Sequence, residues 1–165
     1  MKSLTLIIFV LVLASCSTKG YWVNQRSYRA KKANFKLAKE AFIINNLIDT
    51  RFIYLEKDSL ITSDGKVLKA ALGFSDDGRG FLNSYNTELL TFQNSQFNSL
   101  TKAQQVGYYR TQGNNINFER FAPYDFGQYI LWEGKIKGDT LEFTYRNFPN
   151  KERKYVFIKS NLPKE

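Results

Sequence analysis

Between Tyr129 and Arg146 the side chains alternate in chemistry on both sides of a Gly-Asp pair, and that pattern dictates strand. Ile130, Trp132, Gly134 and Ile136 fall on one face, with Tyr129, Glu133, Lys135 and Lys137 on the other. Leu131 interrupts the polar set, so that face is expected to be partly covered. Gly138-Asp139 turns the chain, after which Leu141, Phe143 and Tyr145 alternate with Glu142, Thr144 and Arg146. A period of two buries one set and wets the other, which a helix does not do with these spacings.

A hairpin this regular needs partners, and the chain supplies them. Fourteen Phe, ten Tyr and two Trp favour strands over helices. Residues 47–55 are rich in β-branched and aromatic side chains, and 67–74 form a second apolar run. Ser63-Asp64-Gly65-Lys66 and Asp76-Asp77-Gly78-Arg79 read as turns, because Asp-Gly takes positive φ at little steric cost. Gly80–Tyr85 continues from the second turn. Val106–Thr111 and Ile116–Phe121 flank Gly113-Asn114-Asn115 as another hairpin, and Tyr155–Ile158 closes the series after a polar turn over 147–153. Residues 86–105 are polar, dotted with Leu and Phe, and are expected to pack down as a long ordered loop. The expected fold is all-β with a short N-terminal helix. It is an antiparallel up-and-down barrel, or a strongly curved sheet, of about seven or eight strands, lipocalin-like in order.

The N-terminus has a different texture. Lys2 precedes an apolar run over 4–14 broken only by Thr5. About eleven residues suits a signal peptide and is too short for a helix crossing the hydrocarbon core, which needs roughly 20. Leu13, Ala14 and Ser15 then precede Cys16, the chain's only cysteine. This resembles a bacterial lipobox. The resemblance implies a diacylglycerol thioether on Cys16, cleavage just before it and acylation, palmitate being typical, of the new N-terminus. The alternative is an ordinary secretory signal with a chance cysteine. Several acyl chains anchor stably where one does not. The organisation expected is therefore a signal peptide over 1–15, a tether and basic segment over 16–46, and a β domain over 47–165.

Arg26 to Lys39 is the most basic stretch, and Tyr28, Phe35, Ala38 and Phe42 fall near helical spacing within and beside it. Arg29, Lys31, Lys32, Lys36 and Lys39 are the expected contacts to anionic headgroups or an acidic partner, the alternative being a solvated face. The +9 formal charge becomes +8 once Lys2 leaves with residues 1–15. In an exported chain tethered to a membrane this charge points to headgroups or an envelope protein, not to nucleic acid.

Catalytic chemistry is sparse. The chain has no histidine, and its single cysteine is assigned to lipid. The usual nucleophile–base pairs and Cys/His zinc motifs are therefore missing. Asp76-Asp77 reads as turn chemistry, not calcium binding. Glu119, Glu133 and Glu142 lie on expected strands, and a glycosidase-like pair would need two of them across a cleft. Neither enzyme activity nor a cofactor is expected. The aromatic load remains: Tyr109, Phe118, Trp132, Phe143 and Tyr145 either fill the barrel or line a cup for a small apolar ligand.

The order of Ile48-Asp49-Thr50 with Tyr54, Gly107-Tyr108-Tyr109, the run Gly134–Leu141 and the strand Tyr155–Ile158 resembles a group of small exported lipoproteins from Bacteroidetes. The resemblance covers most of residues 47–160 and implies a lipocalin-like barrel of uncharacterised function, with no catalytic residues to carry over. Gly20-Tyr21-Trp22 also matches the G-x-W of the first lipocalin strand, a motif short enough to arise by chance. The expected function is a lipid-anchored envelope lipoprotein that binds a small apolar ligand. The alternative is a filled barrel acting as an interaction or structural module. Ser17 after the anchor and the lack of an acidic run favour the outer membrane, facing the periplasm.

Overall fold

The computed structural model describes residues 19–23, 25, 27–61, 63–86, 100, 103–123, 127–147 and 151–163. Leu13, Ala14, Ser15 and Cys16, and most of the expected long loop, lie outside the described residues. The strands are β1 (Gly20–Trp22), β2 (Tyr28–Ala30), β3 (Phe52–Glu56), β4 (Leu60–Ile61), β5 (Val67–Phe74), β6 (Arg79–Asn86), β7 (Gln105–Gln112), β8 (Asn115–Ala122), β9 (Gln128–Lys137), β10 (Thr140–Asn147) and β11 (Lys151–Pro163).

β5 to β11 follow one another in antiparallel order, β11 pairs with β3, and β3 pairs back with β5 through Tyr54↔Leu72 and Leu55↔Ala71. The result is a closed eight-stranded up-and-down barrel, all-β as the patterning required. β4 is a two-residue addition to β5. The hairpins turn where the glycines predicted. Gly78, Gly113 and Gly138 carry φ of 80°, 56° and 59°, a region that side chains with a Cβ rarely enter.

Eight strands enclose a lumen just wide enough to be filled by side chains or to hold one small ligand. Here one half is filled. Tyr54, Leu72, Phe74, Tyr109, Ile116, Phe118, Ile136, Leu141, Phe143 and Phe157 form a single buried cluster with Trp132. Edge-to-face contacts connect Phe74 to Tyr109 and Phe118, at centroid separations of 4.7 and 6.2 Å.

Residues 27–49 form a strap outside the barrel. Tyr28 and Phe35 pack with Phe121, Tyr108 and Tyr129 on the outer face of β7–β9. The Leu37 amide donates to Glu119 Oε2 at 2.8 Å, and Arg110 Nη2 donates to the Glu40 carbonyl at 2.8 Å. Asn45 Nδ2 then reaches the Gly113 carbonyl, Phe42 packs edge-on to Tyr109, and Ile48 enters the main core. The strap thus closes the end of the barrel that carries the turns at Gly78 and Gly113.

This corrects the helical reading of the basic stretch. Tyr28–Ala30 is strand, and the only helical turn among the described residues is a 3-10 turn over Leu37–Lys39. Tyr28, Phe35 and Leu37 are the buried apolar residues of the basic stretch, set by the barrel wall and not by a helical period. Glu119→Ala is expected to cost about 1–3 kcal/mol, the range for stranding a buried donor, here the Leu37 amide. Hydrogen exchange should rise at residues 35–40 more than in the barrel strands. Uniform acceleration would mean the strap is not a separable unit.

Candidate functional site

The opposite end of the lumen is not filled. The closing half of β3 and its exit, β5, β6, β7, β8, β9 and β11 surround a cup of about 310 Å³, at the lower end of the range for small-molecule sites. Trp132, Leu82 and Tyr155 supply apolar walls, and Glu56, Gln105 and Arg120 supply polar ones. Arg153 and Asp58 also line it.

Arg120 is the least expected of these. Only 5% of it is exposed, its Nη1 donates to Gln105 Oε1, and its guanidinium carbon sits 4.8 Å from the centroid of the Trp132 ring. Tyr155 stacks on Trp132 at 4.7 Å and 16°. The placement follows from strand parity, since Ile116, Phe118, Arg120 and Ala122 share one face of β8. Phe121 takes the outer face because the strap covers it. The parity was legible in the sequence, but a charge among aromatics gave no reason to look for it.

Trp132 is 2% exposed, and its Nε1–H, a donor only, has no hydrogen-bond acceptor among the described residues. Glu56 faces the cup from β3, with Oε2 accepting the Ala70 amide at 3.0 Å. Burial pushes its carboxyl above the usual range. The Ala70 amide opposes that shift, the Asp58 charge adds to it, and Lys69 opposes it again.

The fold therefore holds the Glu56 proton to higher pH than the unfolded chain does. This residue's share of stability is full below the ordinary carboxylate range and is lost as pH rises through the raised folded value. Glu56→Gln keeps an acceptor for Ala70 and removes the desolvated charge. It is expected to raise the urea midpoint at neutral pH and to leave it unchanged in acid. A midpoint that falls at neutral pH would mean the charge is compensated.

Among the aromatics read from the sequence, Trp132 lines the cup and the others do not. Phe118 and Phe143, 0% and 1% exposed, fill the core beneath it. Tyr109 lies at the closed end, its hydroxyl donating to the Ser75 carbonyl at 3.0 Å. Tyr145 packs against the core without lining the cup. The walls are mixed polar and apolar, not the apolar lining expected. Comparisons with protein-family models, curated proteins and solved structures return no match.

The three glutamates face away from the lumen. Glu119 is buried beneath the strap, while Glu133 and Glu142 lie on the outer face, where Glu142 pairs with Lys137 at 2.7 Å. They line a larger trough of about 1080 Å³, open and walled by opposite charges that water screens. Leu131 sits there 43% exposed, so the partial covering expected of that face comes at Tyr129, beneath the strap, and not at Leu131 itself. Asp77 behaves as turn chemistry, accepting the Arg79 amide at 3.1 Å. Among the described residues no three metal-ligating side chains cluster, and no helix is long and apolar enough to cross a membrane.

The basic residues divide. Arg29 is structural: its guanidinium donates to the Ala103 and Gln104 carbonyls at 2.9 and 3.3 Å, and burial lowers its pKa from the usual value. Lys31, Lys32, Lys36 and Lys39 are exposed along the strap. Gly20-Tyr21-Trp22 forms a ribbon with β2 outside the barrel, and Trp22 is 55% exposed, so the G-x-W does not take a place in the barrel wall.

Proposed function

We propose that this chain is a lipid-anchored envelope protein whose barrel binds a small ligand at its open end, without a catalytic step. The observation that carries the reading is the division of the lumen, packed solid at the strapped end and open in a 310 Å³ cup at the other. A barrel serving only as a scaffold gains nothing from a buried indole donor left without an acceptor among the described residues, which opposes folding.

The anchor rests on the Leu13-Ala14-Ser15-Cys16 pattern. The surface near the tether supports it. Tyr21, Trp22 and Val23 are consecutive and 49–55% exposed, with exposed Lys19, Lys31 and Lys32 beside them. Aromatic side chains with flanking lysines suit the headgroup region of an anionic leaflet. On this reading the protein sits at the outer membrane facing the periplasm.

Native mass spectrometry of the mature protein, released in detergent from a bacterial membrane, tests both parts. The expected spectrum shows acyl additions on Cys16, lost in Cys16→Ala, and a non-covalent adduct of a few hundred daltons. A clean mass with no adduct across a panel of small molecules would remove the binding reading and favour a filled interaction module. An unmodified Cys16 would remove the anchor.

A further inference from the structure

Two groups of exposed apolar side chains stand at the mouth of the cup. We propose that the barrel docks mouth-down on an anionic phospholipid leaflet, through the β1–β2 ribbon on one side of the opening and β4 on the other. The inference rests on the lipid-anchor reading above and adds the pose of the barrel and the surface that holds it.

The ribbon and the cup share one end of the barrel. The Tyr28 amide donates to the Gln104 carbonyl at 3.0 Å, one residue before Gln105 in the cup wall. The Tyr28 ring stacks on Phe121, next in the chain to Arg120 of the same wall. Pairing with β2 sets Tyr21, Trp22 and Val23 beside that end, 49–55% exposed. Across the opening Leu60 lines the cup from β4, and Leu60 and Ile61 are 66% and 70% exposed. Apolar side chains left in water on both sides of an opening mark a surface that is covered in use.

Charge selects what covers it. Lys19, Lys31 and Lys32 are exposed beside the ribbon, the Lys31 amide donating to the Lys19 carbonyl at 2.9 Å, and Lys57 and Arg153 are exposed beside the cup. The acids Asp64 and Glu152 pair with Lys66 and Lys154, and Asp58 is set against those cations, so the exposed charge at this end is positive in excess. Lysines and arginines are drawn to anionic headgroups, and aromatic side chains settle among them.

The closed end also shows apolar side chains, Ile43 and Ile44, 72% and 69% exposed. Its bases Arg51, Arg79 and Lys159 are paired with Asp49, Asp77 and Asp139, so its charge is largely balanced. The tether decides in the same direction. Two residues, Ser17 and Thr18, separate Cys16 from Lys19, at most about 10 Å of extended chain. An anchor at Cys16 therefore holds the ribbon, and not the closed end, at the surface.

The mature acylated protein, incorporated in vesicles of brominated phosphatidylcholine with or without phosphatidylglycerol, tests the pose, because bromine quenches fluorophores that reach the acyl region. Acylation consumes Cys16, so Ile61→Cys and Ile43→Cys each supply a single thiol for a fluorophore, both at exposed positions. In the anionic vesicles the Ile61 probe and Trp22 are expected to be quenched and the Ile43 probe spared. Trp132 is buried, so Trp22→Phe should remove the quenched tryptophan signal. Lys31→Glu with Lys32→Glu, or high salt, should lower the quenching about twofold or more.

Quenching of the Ile43 probe in place of the Ile61 probe would overturn the pose, as would Trp22 quenched without the Ile61 probe. Equal quenching in the neutral vesicles would overturn the anionic assignment. Protein that stays with the vesicles while neither probe nor Trp22 is quenched would overturn docking and leave the anchor reading intact. Protein that does not stay with them would overturn both.

Discussion

Phe118→Ala is expected to lower the unfolding free energy by about 4 kcal/mol, within the range for deleting a fully buried phenyl ring. Phe118 is 0% exposed and lies between Phe74 and Trp132, at centroid separations of 6.2 and 6.1 Å. A Cβ on Gly80 would lie 2.9 Å from the Phe118 ring, so the ring occupies space that a glycine on β6 leaves open. The cost depends on how far the surroundings can collapse into the hole. In a barrel closed by hydrogen bonds all round, the walls cannot move inwards without breaking the ladder, so most of the cavity should persist. The urea midpoint should drop with the slope unchanged. A loss below about 1.5 kcal/mol would show that the barrel relaxes more freely than a closed cylinder allows.

Gly107→Ala is expected to cost about 3 kcal/mol or to prevent folding, at or above the upper range for overpacking. A Cβ built at Gly107 would fall 1.9 Å from the Glu119 carbonyl oxygen and 2.9 Å from the Arg120 Cα, all backbone of the adjacent strand. Backbone cannot swing aside as the end of a side chain can, so the β7–β8 ladder would have to part. Gly113→Ala gives the contrast. Gly113 has nothing within 4 Å of its Cβ position, but its φ is +56°, and the expected cost is about 1 kcal/mol from conformation alone. Paired denaturation curves for the two variants check this. Similar losses would mean that close approach is not what selects glycine at 107.

These variants also mark where sequence reasoning reached and where it stopped. The alternation over residues 129–146 and the Asp-Gly, Gly-Asn and Gly-Asp turns give the barrel's hairpins almost residue for residue, because period and turn conformation are local properties. Gly107 looked like one more backbone glycine. That it marks a strand-to-strand approach depends on the backbone at Glu119 and Arg120, which only the register Gly107↔Arg120 brings against it. The strap was misread for the same reason: Phe35 and Leu37 are buried by a distant surface, and their spacing imitated a poor helix. Of the aromatics considered for ligand contact only Trp132 reached the cup, since all five share the lumen-facing parity and only depth along the barrel separates them. Arg120, Gln105 and Glu56 share that parity too, but a charged or amide side chain inside a barrel has no periodic signature.

The closing pair, β3 with β11, has a kinetic meaning. Ser160 Oγ donates to the Ile53 carbonyl across a sequence separation of 107 residues, and the β3–β11 ladder is equally remote in the chain. Every other strand of the barrel meets its successor through a local connection, but β3 stays open on that side until β11 has been made. Folding is therefore gated by the last strand, with a large loop-closure entropy to overcome first. Until then the polypeptide can be threaded through a narrow channel without first being pulled apart, and its unpaired edges are what a holding chaperone would have to cover.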